Sequence, residues 1–273
     1  MSETRDPRGL VGPQGLALDP ALAASCADDV ARTTRFGEAV VRAVSRRREA
    51  TPGRPVRLVY AGCGPTAALA LPALRRFGAR ELAVTLLEIH GASLDSAMAL
   101  LRREGLDDRI EAAERVDATA YEPAAPFDVG VCEAMQAALA HEPQVAITEQ
   151  LAPHLAEGGV WIPARVSVSL ALCDPAREFA PDGEGDRGRV GVGEVATLTV
   201  AGLRTHTVEV PRGAGAPMLI TEVSCLDELA LAPRDSGLTM PMMPPSGPAF
   251  RAGDVLAFEY ERGERPGLGY RVE

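Results

Sequence analysis

Acidic side chains at the ends of apolar runs set the chemical question for this chain. Glu88 closes the run 82–87 and stands 24 positions after Gly64. A carboxylate at such a strand end can accept both hydroxyls of a ribose. Asp117 closes the run 110–116, where it can receive the exocyclic amine of an adenine. Glu133 follows the run 127–132, and Glu142 comes nine positions later. Two carboxylates on one loop attract a cation. Beside a bound nucleoside they can hold an amine, orient its lone pair or take its proton. Gly62 and Gly64 directly follow the run 56–61. A residue without a Cβ lets the backbone bend sharply there and lets a ligand lie against it. His141, beside Glu142, is a candidate general base, whereas His90 reads as a helix cap, a packing residue or a nucleoside contact.

These side chains need elements to carry them. The run 56–61, the glycine turn and an apolar stretch over 67–77 read as strand, turn and helix, with helix amides aimed at the turn and Gly78 as C-cap. Ser93 is placed to cap a helix over 94–104 that Gly105 ends. A helix over 143–156 then turns at Gly158-Gly159 into a fifth strand through Ile162. Strands alternating with helices imply right-handed crossovers and a parallel sheet covered on both faces. Such sheets bind ligands at the carboxyl ends of their strands. Ahead of the sheet, residues 1–18 read as a loose arm rich in Gly, Pro and charge. Asp19-Pro20 then opens one or two helices over 21–48, with Val30, Phe36, Ala39, Val40, Ala43 and Val44 at helical spacing. Beyond Pro163 the pattern becomes short strands, 166–172, 195–200, 206–210, 219–223 and 255–260, between Pro and Gly clusters. The expected fold is α/β, a Rossmann-like parallel sheet with N-terminal helices and a small antiparallel β domain. The expected divisions are 1–52, 53–163 and 164–273.

Composition removes several function classes. The chain has 273 residues and a net charge of −10, and all 28 of its basic residues are Arg. That balance disfavours nucleic acid and anionic membrane as partners and leaves a small molecule, with an amine as the natural match to an acidic surface. Cys26, Cys63, Cys132, Cys173 and Cys225 are odd in number and form no Cys-x-x-Cys pair, so neither a disulfide framework nor a metal site is expected. No apolar run approaches membrane-spanning length, and the polar opening Met1 to Asp6 lacks the pattern of a secretory leader. A soluble, cytoplasmic protein is the expectation.

Glu88 suits NAD as well as S-adenosylmethionine, but Pro65 and Thr66 fill the segment where a dinucleotide fingerprint has its third glycine. Gly62-Cys63-Gly64, Glu88, Asp117 and Gly158-Gly159 resemble the core of a class I S-adenosylmethionine-dependent methyltransferase. The likeness is closest to the protein arginine methyltransferase branch. Asp29-Val-Ala-Arg32-Thr33 matches that branch's Asp-x-x-Arg-Thr segment. Glu133-x-Met135 with Glu142 matches its double-glutamate loop. Gly158-Gly-Val-Trp-Ile-Pro163 matches the strand leading out of its core, and a β domain follows. The resemblance implies S-adenosyl-L-methionine as cofactor. Arg32 would grip its carboxylate, Gly62 and Gly64 its amino acid portion, Glu88 the ribose and Asp117 the adenine. Glu133 and Glu142 would be the catalytic pair, and Tyr60, where the family has an acidic residue, could place its ring near the sulfonium. The branch's Thr-His-Trp motif is absent; Thr205-His206-Thr207 is only an echo of it, and Trp161 lies elsewhere. The β domain is also too short for the branch's dimerisation arm. The expected acceptor is therefore a small amine, amino acid or natural-product intermediate rather than a protein arginine. Three alternatives stay open: transfer or cyclisation of the cofactor's aminocarboxypropyl arm, a nicotinamide-dependent oxidoreductase, and a non-catalytic cofactor-binding protein.

Overall fold

A computed structural model of the chain describes residues 4–180, 188–212, 215–244 and 248–273. Its N-terminus is not the loose arm expected. Strands β1 (Thr4–Asp6), β2 (Gly9–Gly12) and β3 (Gly15–Leu18) form an antiparallel meander. The turn Gly12-Pro-Gln-Gly15 between Leu10-Val11 and Leu16 is a hairpin signal that Gly and Pro content masks. Asp19 then caps α1 (Pro20–Ser25) through a bond to the Ala21 N–H of 2.9 Å. A 3-10 turn leads into α2 (Val30–Ala50), which buries Phe36, Ala39, Val40, Ala43 and Val44 along one stripe. No helix among the described residues is long and apolar enough to cross a membrane.

The central sheet is built from β4 (Val56–Ala61), β5 (Leu82–Glu88), β6 (Ile110–Arg115), β7 (Phe127–Cys132) and β8 (Leu155–Ile162). Their order is β6-β5-β4-β7-β8, and every pairing is parallel. Both faces are covered, which is why β4 reads as a continuous apolar run. Leu58 and Tyr60 pack into one cluster with α2, α3 (Leu71–Arg76) and α4 (Gly91–Glu104). Val59 and Ala61 pack into a second with Trp161 and α5 (Gln144–Leu151).

Three helix boundaries differ from the sequence reading. The helix expected over 67–77 is the shorter α3, because Ala67 has a φ of 47° and Pro72 sits in the helix's first turn. A proline is tolerated there and nowhere deeper. The helix's free amides therefore start seven residues past Gly64, and Gly78 is not a left-handed cap. α4 begins at Gly91 rather than after Ser93, so Ser93 lies buried inside its first turn. Past α5 the chain turns at His154 and pairs from Leu155 onward. Gly158, with a φ of 68°, is a bulge inside β8 and not the turn before it.

The C-terminal part is antiparallel. β9 (Arg165–Cys173) leads to the short α6 (Pro175–Glu178), and then come β10 (Val190–Thr199), β11 (Gly202–Thr205), β12 (Thr207–Glu209), β13 (Ala216–Leu226), β14 (Leu229–Leu231), β15 (Val255–Glu261) and β16 (Gly267–Val272). They form a five-stranded sheet β11-β10-β9-β13-β14 and a three-stranded sheet β12-β15-β16. β11, β14 and β16 had no counterpart in the sequence reading, since β11 and β14 are only four and three residues long and β16 is interrupted by Gly269, which leaves little periodicity. One continuous apolar cluster links Phe36 and Leu58 to Val168, Leu198 and Phe258.

Candidate active site

The carboxyl edge of the sheet opens into a cavity of about 450 Å³ lined by Arg32, Gly62, Gly64, Glu88, Asp117, Glu133 and Glu142 together. All seven residues singled out in the sequence meet here. Just past the end of β4, Gly62 and Gly64 adopt φ values of 70° and 61°, in the left-handed region that favours glycine. Glu88 ties two strand ends together. One carboxylate oxygen accepts the Gly64 N–H at 2.8 Å and the other accepts the His90 N–H at 2.9 Å. Asp117 caps the short turn 118–120, its Oδ1 accepting the Thr119 N–H at 2.9 Å and hydroxyl at 2.7 Å. His90 occupies the N-cap position of α4 by its backbone, but its side chain caps nothing.

Polar atoms left without partners gather at the same place. His90 Nε2, Ser93 Oγ and Arg32 Nε are buried with no hydrogen bond, and all three residues line the cavity. Leaving a buried polar group unpaired costs about 1–3 kcal/mol, so a polar ligand that satisfied these atoms would bind with that advantage. This donor and acceptor set fits a nucleoside bearing an amino acid. Tyr60 and Cys63 also line the cavity, and burial pushes both side chains far above their ordinary pKa values. Among the described residues no group of three or more His, Cys, Asp and Glu could hold a metal ion.

The acidic side is built on a strained loop. Glu133 and Glu142 are buried, at 7% and 6% exposure, rather than turned out into water. The Arg32 guanidinium, projecting from the first turn of α2, pairs directly with Glu133. Burial pushes the Glu142 carboxyl up to about 7, against the pull of Arg32, a hydrogen bond from Gln136 and the charge of Arg8. Between the acids, Ala138, Leu139 and His141 hold φ values of 58°, 56° and 64°. Non-glycine residues in that region cost on the order of 1–3 kcal/mol each and persist only where surroundings over-determine them.

Those surroundings come from distant parts of the chain. The Ala138 N–H donates to Thr221 Oγ1 at 2.8 Å, and the Tyr260 hydroxyl donates to the Leu139 carbonyl at 3.0 Å. The His141 N–H donates to the Pro266 carbonyl, and the Leu16 N–H to the His141 carbonyl, each at 2.7 Å. Gln144, fully buried, donates to the Cys132 carbonyl at 3.1 Å and accepts the Ala134 N–H at 2.9 Å, bracketing Glu133. Asp29 caps α2 through the Arg32 N–H at 3.1 Å and also accepts the Ser236 hydroxyl at 2.6 Å and the Gly237 N–H at 3.0 Å. Sequence reasoning missed Gln144, Thr221 and Tyr260. A lone Gln, Thr or Tyr carries no local signal of a bond made across the fold. Thr205-His206-Thr207 lies away from the cavity, where His206 approaches Glu194 at 3.6 Å.

No protein-family model matches the sequence. No curated protein is significantly similar to it in sequence. Solved structures do share its architecture. The Trypanosoma brucei PRMT1 enzyme–prozyme heterotetrameric complex with AdoHcy superposes with a TM-score of 0.64 at 12% identity, over 93% of both chains. Arabidopsis thaliana protein arginine methyltransferase 10, in an open conformation, superposes with a TM-score of 0.56 at 14% identity, over 87% of this chain and 86% of that one. The chain therefore has the fold of the protein arginine methyltransferases: a Rossmann-like methyltransferase core with N-terminal helices, followed by antiparallel β sheets.

Proposed function

We propose that this protein is an S-adenosylmethionine-dependent methyltransferase whose acceptor is a small amine, amino acid or natural-product intermediate. One observation supports it most. A single cavity carries a nucleoside-type crescent on one side and two buried carboxylates on the other. The likeness to a chain of a complex solved with AdoHcy adds to this. In this reading Gly62 and Gly64 cradle the amino acid portion of the cofactor, Glu88 meets the ribose and Asp117 the adenine. His90 Nε2 and Ser93 Oγ gain the partners they lack. Arg32 serves two roles, drawing the cofactor carboxylate and holding Glu133 in place. When bound, S-adenosylmethionine supplies an already activated methyl group, so the protein's task is alignment and exclusion of water. Glu133, neutralised by Arg32, orients the acceptor nitrogen. Glu142, poised near neutrality by burial, takes its proton. The strand-end segment 53–163 then serves the cofactor, and 164–273 buttresses the acid loop.

Titration calorimetry with AdoHcy, followed by mass spectrometry of products from S-adenosylmethionine and a panel of amines, tests the proposal. Binding with AdoHcy among the products is the expected result. Methylthioadenosine instead would assign the chemistry to the aminocarboxypropyl arm, and absence of binding would remove the cofactor altogether.

A further inference from the structure

The N-terminal meander packs against the loop that carries the second acid. Strand β3 runs directly over the loop that carries Glu142. Its Leu16 N–H donates to the His141 carbonyl at 2.7 Å. Gly15 packs so closely that a Cβ there would stand 2.8 Å from the His141 carbonyl oxygen and 3.1 Å from the Glu142 carbonyl carbon. Leu16 is 3% exposed, yet it lines the cavity along with Ala17 and Leu18. Arg8, on the same meander, lies near enough to Glu142 for its charge to act on it. The facing wall comes from the C-terminal part. The turn Gly237–Thr239 packs against Ala137–Leu139 of the acid loop, and Leu238, Met240 and Met242 line the cavity beside it. The lining beside the acid loop is thus largely apolar, with Leu16, Ala17 and Leu18 from β3 and Leu238, Met240 and Met242 from the C-terminal part.

We infer that β3 is the specificity-determining wall of the acceptor compartment, and that Leu16 and Ala17 limit the acceptor to a compact amine with an apolar body, excluding a polypeptide. The inference rests on the methyltransferase reading and adds the substrate's shape to it. Apolar walls favour an acceptor whose body sheds water on entry. The carboxylates take its amine. A peptide backbone has no such match, because its N–H and C=O groups would be buried there without partners.

Two substitutions of opposite sense test this. Leu16→Ala enlarges the compartment and Ala17→Phe fills it. The readouts are AdoHcy affinity by calorimetry, and the binding and turnover of ethylamine, benzylamine, dodecylamine and an arginine-containing peptide on AdoHcy- or S-adenosylmethionine-loaded protein. The wild type is expected to prefer benzylamine and to leave the peptide unmodified. Leu16→Ala should raise relative affinity and kcat/KM for dodecylamine at least tenfold, and Ala17→Phe should lower both for benzylamine at least tenfold. AdoHcy affinity should stay within threefold in each variant. An unchanged amine ranking in both variants, or peptide methylation by the wild type, overturns the assignment of β3 while leaving the cofactor reading intact. Loss of AdoHcy binding in the wild type itself overturns both.

Discussion

Glu133 and Glu142 are the same residue type on one loop, yet their surroundings give them different work. Glu133 is paired directly with the Arg32 guanidinium. Glu142 is desolvated without a comparable partner, which places its pKa at about 7. Its proton is then lost as pH rises through neutrality. We expect kcat/KM to climb about tenfold per pH unit below 7 and to level above it. Glu142→Gln should flatten that profile and lower kcat by about 10²–10⁴-fold, with AdoHcy affinity nearly unchanged by calorimetry. Stability carries the opposite sign. The folded carboxyl binds its proton more readily than the unfolded one, whose ordinary value is 4.5, so ionisation between about 4.5 and 7 works against the fold. Glu142→Gln should therefore raise Tm at pH 8, and the gain should vanish below about pH 4.5. Gln144→Leu keeps the volume but strips the Cys132 carbonyl and the Ala134 N–H of their partners. It should cost about 1–3 kcal/mol in denaturant titrations and lower kcat more than it weakens AdoHcy binding.

At the scale of elements, the acid loop is a strained segment held by pieces that do not adjoin it in sequence. Tyr260→Phe removes the hydroxyl that donates to the Leu139 carbonyl and should cost about 0.5–1.5 kcal/mol. Hydrogen exchange at 137–141 should quicken more than exchange in the parallel strands. Asp29→Ala removes an N-cap together with both bonds to the turn at Ser236 and Gly237. We expect a loss of about 1–2 kcal/mol, read by thermal unfolding. Weaker AdoHcy binding should accompany it, because Arg32 lies in the turn that Asp29 organises. The parallel strands and α2 were legible in the sequence because long apolar runs and helical stripes repeat within a few residues. The meander, the shortened α3, the bulge at Gly158 and the strands β11, β14 and β16 were not. Each depends on a pairing partner, or on a φ value that no local pattern announces.

At the scale of the molecule, the end of the sheet away from the cavity is fastened by charge. Asp128, 1% exposed at the start of β7, accepts from Arg54 at 2.6 and 2.8 Å, from Arg47 at 3.1 Å and from the Arg57 N–H at 2.9 Å. Arg47 also donates to the Gly158 carbonyl at 2.9 Å, so the network joins α2, β4, β7 and β8. Burial alone would raise the Asp128 pKa, but these bonds overcome it and hold the carboxyl near 2, below its ordinary 3.8. The folded state therefore binds this proton less readily than the unfolded one. Its contribution is complete above about pH 4 and is lost as pH falls through about 2. In acid titrations followed by circular dichroism, Asp128→Asn should be less stable than the wild type at pH 7. The two should converge towards pH 2.

The sequence by itself determined the order of the parallel-sheet elements and the residues at their carboxyl ends. Strand and helix periodicity are local, and a parallel sheet brings its carboxyl ends to one edge whatever its detailed packing. From that alone, Gly62, Gly64, Glu88, Asp117 and Glu133 were expected along one edge of the sheet. Only the tertiary structure decided which of the two buried carboxylates is paired with Arg32, and which distant groups hold the loop between them. It also decided that residues 4–18 form an antiparallel meander rather than an arm. Those outcomes depend on burial and on hydrogen bonds between residues 83 or more positions apart, and no local pattern encodes either.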